Sequence, residues 1–316
     1  MSSDGSPTPQ ELVARAARGD AAVVLHRHAY STSAPIDLLV PPGARTPSGV
    51  LRKDLSPGSL LPTARATKPD FLLDPRREVA VYRDVLPPWL ESPMFHGAVE
   101  DGERRWLFLE HVDGIELWQV GDLAVWTAVA RWAASLHAAH LEEDAPPTVR
   151  SLLVDYDADF YRQWATRAAA FAGDTDRRLQ PVLARHEEVV ERLLAMPSTF
   201  VHGELYPSNV LVVETPEPRV AVIDWETAAV GPPLVDLAAL VEGWDDEARR
   251  VLVDAYRQAL GAVDPTAADA VTDDGLDACR LHLCIRWLGW APAWAPPEDH
   301  DHDWLALALE LTERLR

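Results

Sequence analysis

The chain has 316 residues, enough for two lobes, and its 47% hydrophobic content is that of a globular protein. A formal charge of −21 argues against a nucleic-acid partner, which needs a basic surface; it suits a cationic small molecule, or solubility alone. No apolar run approaches the roughly 18 residues of a membrane span, and the N-terminus lacks a signal peptide's basic start and apolar core, so a cytoplasmic protein without membrane contact is expected.

Met1 to Gln10 is polar and rich in Pro and Ser, and residues 1–20 are expected as a flexible tail. Ala21–Tyr30, Ile36–Val40 and Gly49–Lys53 read as three strands of an antiparallel meander, with turns at Ser31–Pro35 and Pro41–Gly43. A loop follows to Leu73. Asp74 and Pro75 then open a helix over about Arg76–Val85 that carries Glu78 in its first turns. Arg105–Leu109 is a strand and Glu110–Gly114 a connector. From Asp122 the pattern turns helical, with helices over Leu123–His140, Tyr156–Ala172, Arg178–Leu194, Leu234–Glu242, Asp246–Leu260, Leu276–Trp290 and Trp304–Leu315. The division is a small β-rich part, 21–112, and a larger, mainly helical part, 113–316. Cys279 and Cys284, five apart on a helix, face different ways and fit neither a zinc site nor a disulfide.

The chemistry concentrates in two loops that each follow a short hydrophobic strand. His202–Gly203–Glu204–Leu205–Tyr206–Pro207–Ser208–Asn209 has the layout of a kinase catalytic loop, H-x-D-x-x-x-x-N, with Glu204 where the Asp stands. In that pattern the carboxylate accepts the proton of the attacking hydroxyl and the Asn holds Mg²⁺. Asp224 ends the apolar run Val220–Ile223, where a carboxylate is costly unless paired or metal-bound. Glu226 is read as a further metal ligand or as a salt-bridge partner. Upstream, Lys53 ends a strand and Glu78 lies on the next helix, the order of a phosphate-binding lysine and its glutamate. Lys53 and Lys68 are the only lysines in the chain.

Together with Gly231–Pro232–Pro233–Leu234–Val235–Asp236–Leu237–Ala238, these residues make the chain resemble the aminoglycoside phosphotransferase and choline kinase-like family, over about residues 20–315. The resemblance implies an α+β, two-lobed protein kinase-like fold. ATP or GTP would bind between the lobes, with the N-lobe (21–112) as the nucleotide-binding part, and the C-lobe (113–316) would carry the catalytic loop, the Mg²⁺ and, on its helices, a small-molecule acceptor. It makes Glu204 the catalytic residue, with Asn209, Asp224 and Glu226 on the metal. Lys53 and Glu78 would serve the nucleotide, with Ser31, Thr32 and Ser33 over its phosphates and the backbone of Glu110, His111 and Val112 on adenine. His202 and Asp236 would brace the loop.

Two departures bear on function. The loop Ser31–Thr32–Ser33 has no glycine, which reduces close backbone approach to phosphate. Glu204 hardly changes basicity, the reference values differing by roughly 0.4 unit, but its extra methylene adds a bond of about 1.5 Å, and a misplacement near 1 Å costs on the order of 100-fold in rate. Trp287, Trp290, Trp294 and Trp304 read first as helix packing and second as an acceptor surface. The acid/His run Glu298–Asp303, with His300 and His302, reads as a solvated loop rather than a metal site. The leading reading is phosphotransfer to a hydroxyl of an antibiotic, sugar or amino alcohol. The alternatives are a kinase-like enzyme acting on Ser or Thr of a precursor peptide with a partner lyase, and a degenerate kinase-fold binding module.

Overall fold

The structure is a computed structural model that describes residues 7–20, 24–27, 33–41, 43–44, 49–141, 146–172, 177–213, 218–290 and 302–316. The chain divides into two compact units. The first holds Met1–Ile115 and Leu211–Glu226; the second holds Glu116–Val210 and Thr227–Arg316. The first division lies three residues beyond the expected one. The return of Leu211–Glu226 to the first unit had no counterpart in the sequence reading.

The first unit is built on a five-stranded antiparallel sheet of β1 (Val24–Arg27), β2 (Ile36–Val40), β3 (Val50–Asp54), β4 (Phe95–Glu100) and β5 (Arg105–Glu110), in the order β1-β2-β3-β5-β4. Alternation along β3 sends its side chains to opposite faces. Val50 joins Leu39 and Phe108 on one face, under Leu12 and Ala16 of a helix, α1 (Pro9–Ala17). Helix α1 corrects the expected tail. Thr8 and Glu11 form a reciprocal capping box and Pro9 begins the helix, so the signal was local and visible. Lys53, opposite Leu107, lies on the other side of the strand from Val50. After β3 come α2 (Pro62–Thr67) and α3 (Arg77–Ala80), the latter running into a single π-helical turn, Val81–Val85. Strands Val210–Val213 and Arg219–Val222 pair side by side before the turn at Trp225–Thr227.

The second unit is helical. Helices Leu123–Ala139 and Asp246–Gly261 pack together, and Asp273–Leu288 packs against Trp304–Arg314, Leu234–Val241 and Ala158–Ala172. A short sheet pairs Ala229–Gly231 with Val154–Asp155 and Thr199–Val201. The single helix expected over Arg178–Leu194 is two, Leu179–Ala184 and His186–Ala195, broken where Arg185 leaves helical geometry.

Candidate active site

The residues singled out in the sequence fall into two groups, one in each unit. In the first unit β3 delivers Lys53 and α3 delivers Glu78, and their charged ends lie 2.7 Å apart. The Lys53 ammonium also donates to Asp224 Oδ1 at 2.6 Å. Burial alone would depress the lysine; Asp224 and Glu78 outweigh it and hold its pKa well above the ordinary range. Burial raises Glu78 in turn, against the pull of Lys53. Asp224 is the one non-glycine residue with positive φ among those described, at 67°. That left-handed conformation turns the chain sharply at the strand end and costs a residue with a Cβ some strain.

Glu226 is engaged by a residue to which the sequence reading assigned no role. Lys68, just after α2, forms an ion pair with its carboxylate. Ser33 donates to Glu226 Oε1 at 3.0 Å, and buried Arg77 donates to the Glu226 carbonyl. The salt-bridge reading of Glu226 has a partner in Lys68. Ser31 and Thr32 lie outside the described residues. At the expected adenine contact, the Glu110 carboxylate takes both arms of Arg219, at 2.6 and 2.8 Å. The Glu110 and His111 N–H groups are committed to Met94 and Gly49 carbonyls, each at 2.8 Å. Backbone donation to a base from those two N–H groups is therefore closed; Val112 is buried.

In the second unit the catalytic-type loop is braced from behind. Asp236, fully buried, accepts the N–H of His202 at 2.7 Å and of Gly203 at 2.8 Å, and lies 3.2 Å from His137 Nε2. The other nitrogen of His137 is 2.7 Å from the Tyr256 hydroxyl. Burial would raise the Asp236 pKa, but His137 and the donated N–H groups hold it below the usual carboxylate range. Gly203 is required: at φ 82° a Cβ there would sit 2.5 Å from the Thr227 carbonyl oxygen. His202 Nδ1 accepts from the Glu204 N–H at 3.2 Å. Asn209 spends its Nδ2 on the Glu204 carbonyl at 2.9 Å, which directs Oδ1 the other way.

The Glu204 side chain pairs with Arg286, a residue the sequence reading did not single out. Arg286 comes from helix Asp273–Leu288 and is 4% exposed. Its Nη1 also donates to the Gly203 carbonyl at 2.6 Å, so one guanidinium grips two successive loop residues. Burial works against its charge, and Glu204 more than compensates. The Arg286 guanidinium carbon lies 5.5 and 5.8 Å from the Trp164 and Trp290 rings, which stack on one another. Trp287 stacks on Trp304 at 5.5 Å and lies 5.3 Å from Tyr206. Trp294 and His300 lie outside the described residues, and His302 packs on Trp304.

Among the described residues no group of three or more His, Cys, Asp or Glu side chains is placed to hold a metal. No helix among them is long and apolar enough to cross a membrane.

A family model described as the phosphotransferase enzyme family matches residues 40–271. Among solved structures, a microcompartment-associated aminopropanol kinase is similar over 96% of this chain and 97% of its own, at 16% identity and a TM-score of 0.62. A choline kinase from Cryptosporidium parvum covers 94% of this chain and 88% of its own, at 15% identity and a TM-score of 0.59. Aminoglycoside 2'-phosphotransferase-IIIa in its GDP complex covers 95% of each, at 15% identity and a TM-score of 0.57. No curated protein sequence matches significantly. At such identities the structures establish the fold, the mixed α+β fold of small-molecule kinases, while the family match spans most of the sequence: the chain belongs to the phosphotransferase enzyme family.

Proposed function

We propose that the protein transfers the terminal phosphoryl group of ATP or GTP to a hydroxyl of a small molecule, with Mg²⁺. The observation that carries this reading is the Lys53 ammonium, held on a strand by Glu78 at 2.7 Å and by Asp224 at 2.6 Å. Buried lysines are rare unless paired, and this one is paired with the carboxylate the family assigns to metal.

Asp224 and Asn209 each carry an oxygen of the kind a hard cation takes, and they would hold Mg²⁺. Asp224 offers a carboxylate at a strand end, and the orientation of Asn209 leaves its amide oxygen as donor. Mg²⁺ commonly takes one or two protein oxygens and completes its shell with phosphates and water. Glu226, paired with Lys68 as Asp224 is with Lys53, is the further carboxylate of this set. When bound, the ion neutralises charge on the transferring phosphoryl group. Lys53 turns its ammonium to phosphate oxygens. Glu204 accepts the hydroxyl proton of the acceptor as the new O–P bond forms and the bond to the leaving nucleoside diphosphate breaks. Asp236 keeps the Glu204 backbone in place through His202 and Gly203.

The test is release of nucleoside diphosphate against a panel of aminoglycosides, sugars and amino alcohols, with a Ser-containing peptide as a further arm. Mg²⁺-dependent turnover that Glu204→Gln reduces by about 10²–10⁴-fold supports the reading. A second reading has one observation in its favour: the Glu204 carboxylate is occupied by Arg286. It makes the protein a binding module. Nucleotide binding without turnover on any acceptor, unchanged by Glu204→Gln, would select it.

A further inference from the structure

We propose that Lys68 is a second phosphate-binding cation of the nucleotide site, doing with an ammonium what a glycine-rich loop does with backbone N–H groups. This rests on the nucleotide-binding reading above.

The chain has only two lysines, and both are buried, Lys53 at 5% exposure and Lys68 at 8%. Both are held by carboxylates of one turn, Lys53 by Asp224 and Lys68 by Glu226. Lys68 follows α2 and precedes Pro69, which fixes the chain direction at that point. Its Nζ donates to Ser33 Oγ at 3.3 Å, and Ser33 donates on to Glu226 Oε1 at 3.0 Å. Glu226 is itself fixed by Arg77, which donates to its carbonyl and to the Leu72 carbonyl at 2.8 Å. Lysine, serine and glutamate thus form a closed triangle on a rigid base. An ammonium carries three donors, and Glu226 and Ser33 account for two. Among the described residues nothing takes the third, and we assign it to an anion.

Ser33 closes the segment between β1 and β2, the place from which a kinase-type fold covers phosphates. That segment contains no glycine. Hydroxyls there cannot bring backbone as close to a phosphate as glycine does, and a cation tied to the last of them supplies the missing attraction. A cavity of about 180 Å³ opens beside this triangle, lined by Ser33, Lys68, Glu78, Glu226 and the turn Ser56–Leu60. It is far larger than a water needs. A fold-stabilising role alone is a poor account, because a buried ion pair is commonly replaced by apolar residues without loss of stability.

The experiment compares Mg·ATP with adenosine by calorimetry on the full chain. Lys68→Met is expected to weaken Mg·ATP by about 10–100-fold, the worth of one charged hydrogen bond, and to leave adenosine binding unchanged. Lys68→Arg is expected to restore most of the loss. If Lys68→Met does not fold, Lys68→Gln carries the same comparison. Equal weakening of both ligands, or unchanged Mg·ATP affinity, overturns the role of Lys68 alone. A parent chain that binds no Mg·ATP overturns the nucleotide reading as well.

Discussion

Cutting the contact between Arg286 and Glu204 separates a structural clamp from a chance surface contact. Arg286→Met removes the guanidinium and keeps much of its length. It leaves the Glu204 carboxylate, 12% exposed, without its cation, and the Gly203 carbonyl without the donor at 2.6 Å. Breaking a buried pair on one side costs about 3–5 kcal/mol. Glu204→Gln removes the charge and keeps an acceptor for Arg286, so its cost is that of a charged hydrogen bond, about 1.5–3 kcal/mol. Two unit charges about 4 Å apart at an effective dielectric near 20 attract by about 4 kcal/mol. The double variant is therefore expected to be less damaged than the sum, with a coupling of about 2–4 kcal/mol. Urea unfolding followed by tryptophan fluorescence measures it, since Trp164 and Trp290 flank the guanidinium. Additivity within about 0.5 kcal/mol, the level of independent sites, would refute the clamp.

Three further outcomes are expected. Mg·ATP at about 100 times its Kd should stabilise the parent by about 2.7 kcal/mol, and Asp224→Ala should abolish that gain in a thermal-shift titration; persistence of the gain removes Asp224 from the metal. Asp236→Asn puts an amide NH₂ against one of two backbone N–H groups now held at 2.7 and 2.8 Å; a loss of about 3–5 kcal/mol in urea is expected, and a loss under 1 kcal/mol contradicts the brace. Burial, helped by Arg286 and His186, depresses the His282 ring well below 6.5. The unfolded ring protonates near 6.5 and the folded one does not. Its contribution is therefore complete above pH 6.5 and is lost below it, at about 1.4 kcal/mol per pH unit. His282→Phe should flatten the stability profile between pH 6.5 and 5.5, and an unchanged slope there contradicts a buried neutral ring.

Lys53 and Glu78 were legible because each sits on a recognisable element, a β-rich strand and a helix opened by Asp74 and Pro75. The His202–Asn209 loop and Asp236 were legible because each motif is contiguous. Lys68 and Arg286 were not, because their partners are set by tertiary folding. Arg286 meets Glu204 across 82 residues, and Ser33 meets Glu226 across 193. No local period encodes such a pair. Strand β4 escaped for a local reason: Gly97, at φ 140°, sits at a register shift that breaks its alternation. Helix α1 escaped although its capping box was present, since a short polar segment rich in Pro and Ser resembles a tail by composition.

The passage of the chain between its two units has a consequence in time. It leaves the first unit after Ile115, returns at Leu211 and leaves again after Glu226. A ribosome delivers Lys53 long before Asp224, which lies 171 residues later. At about 5–20 residues per second, Lys53 waits roughly 10–35 seconds for that carboxylate. Until then the sheet can form with Glu78 alone, and the first unit stays unfinished while about half of the second, Glu116–Val210, is being made. A nascent chain stalled before residue 211 should therefore be open to protease in the first unit, and one stalled well past residue 226 should be protected.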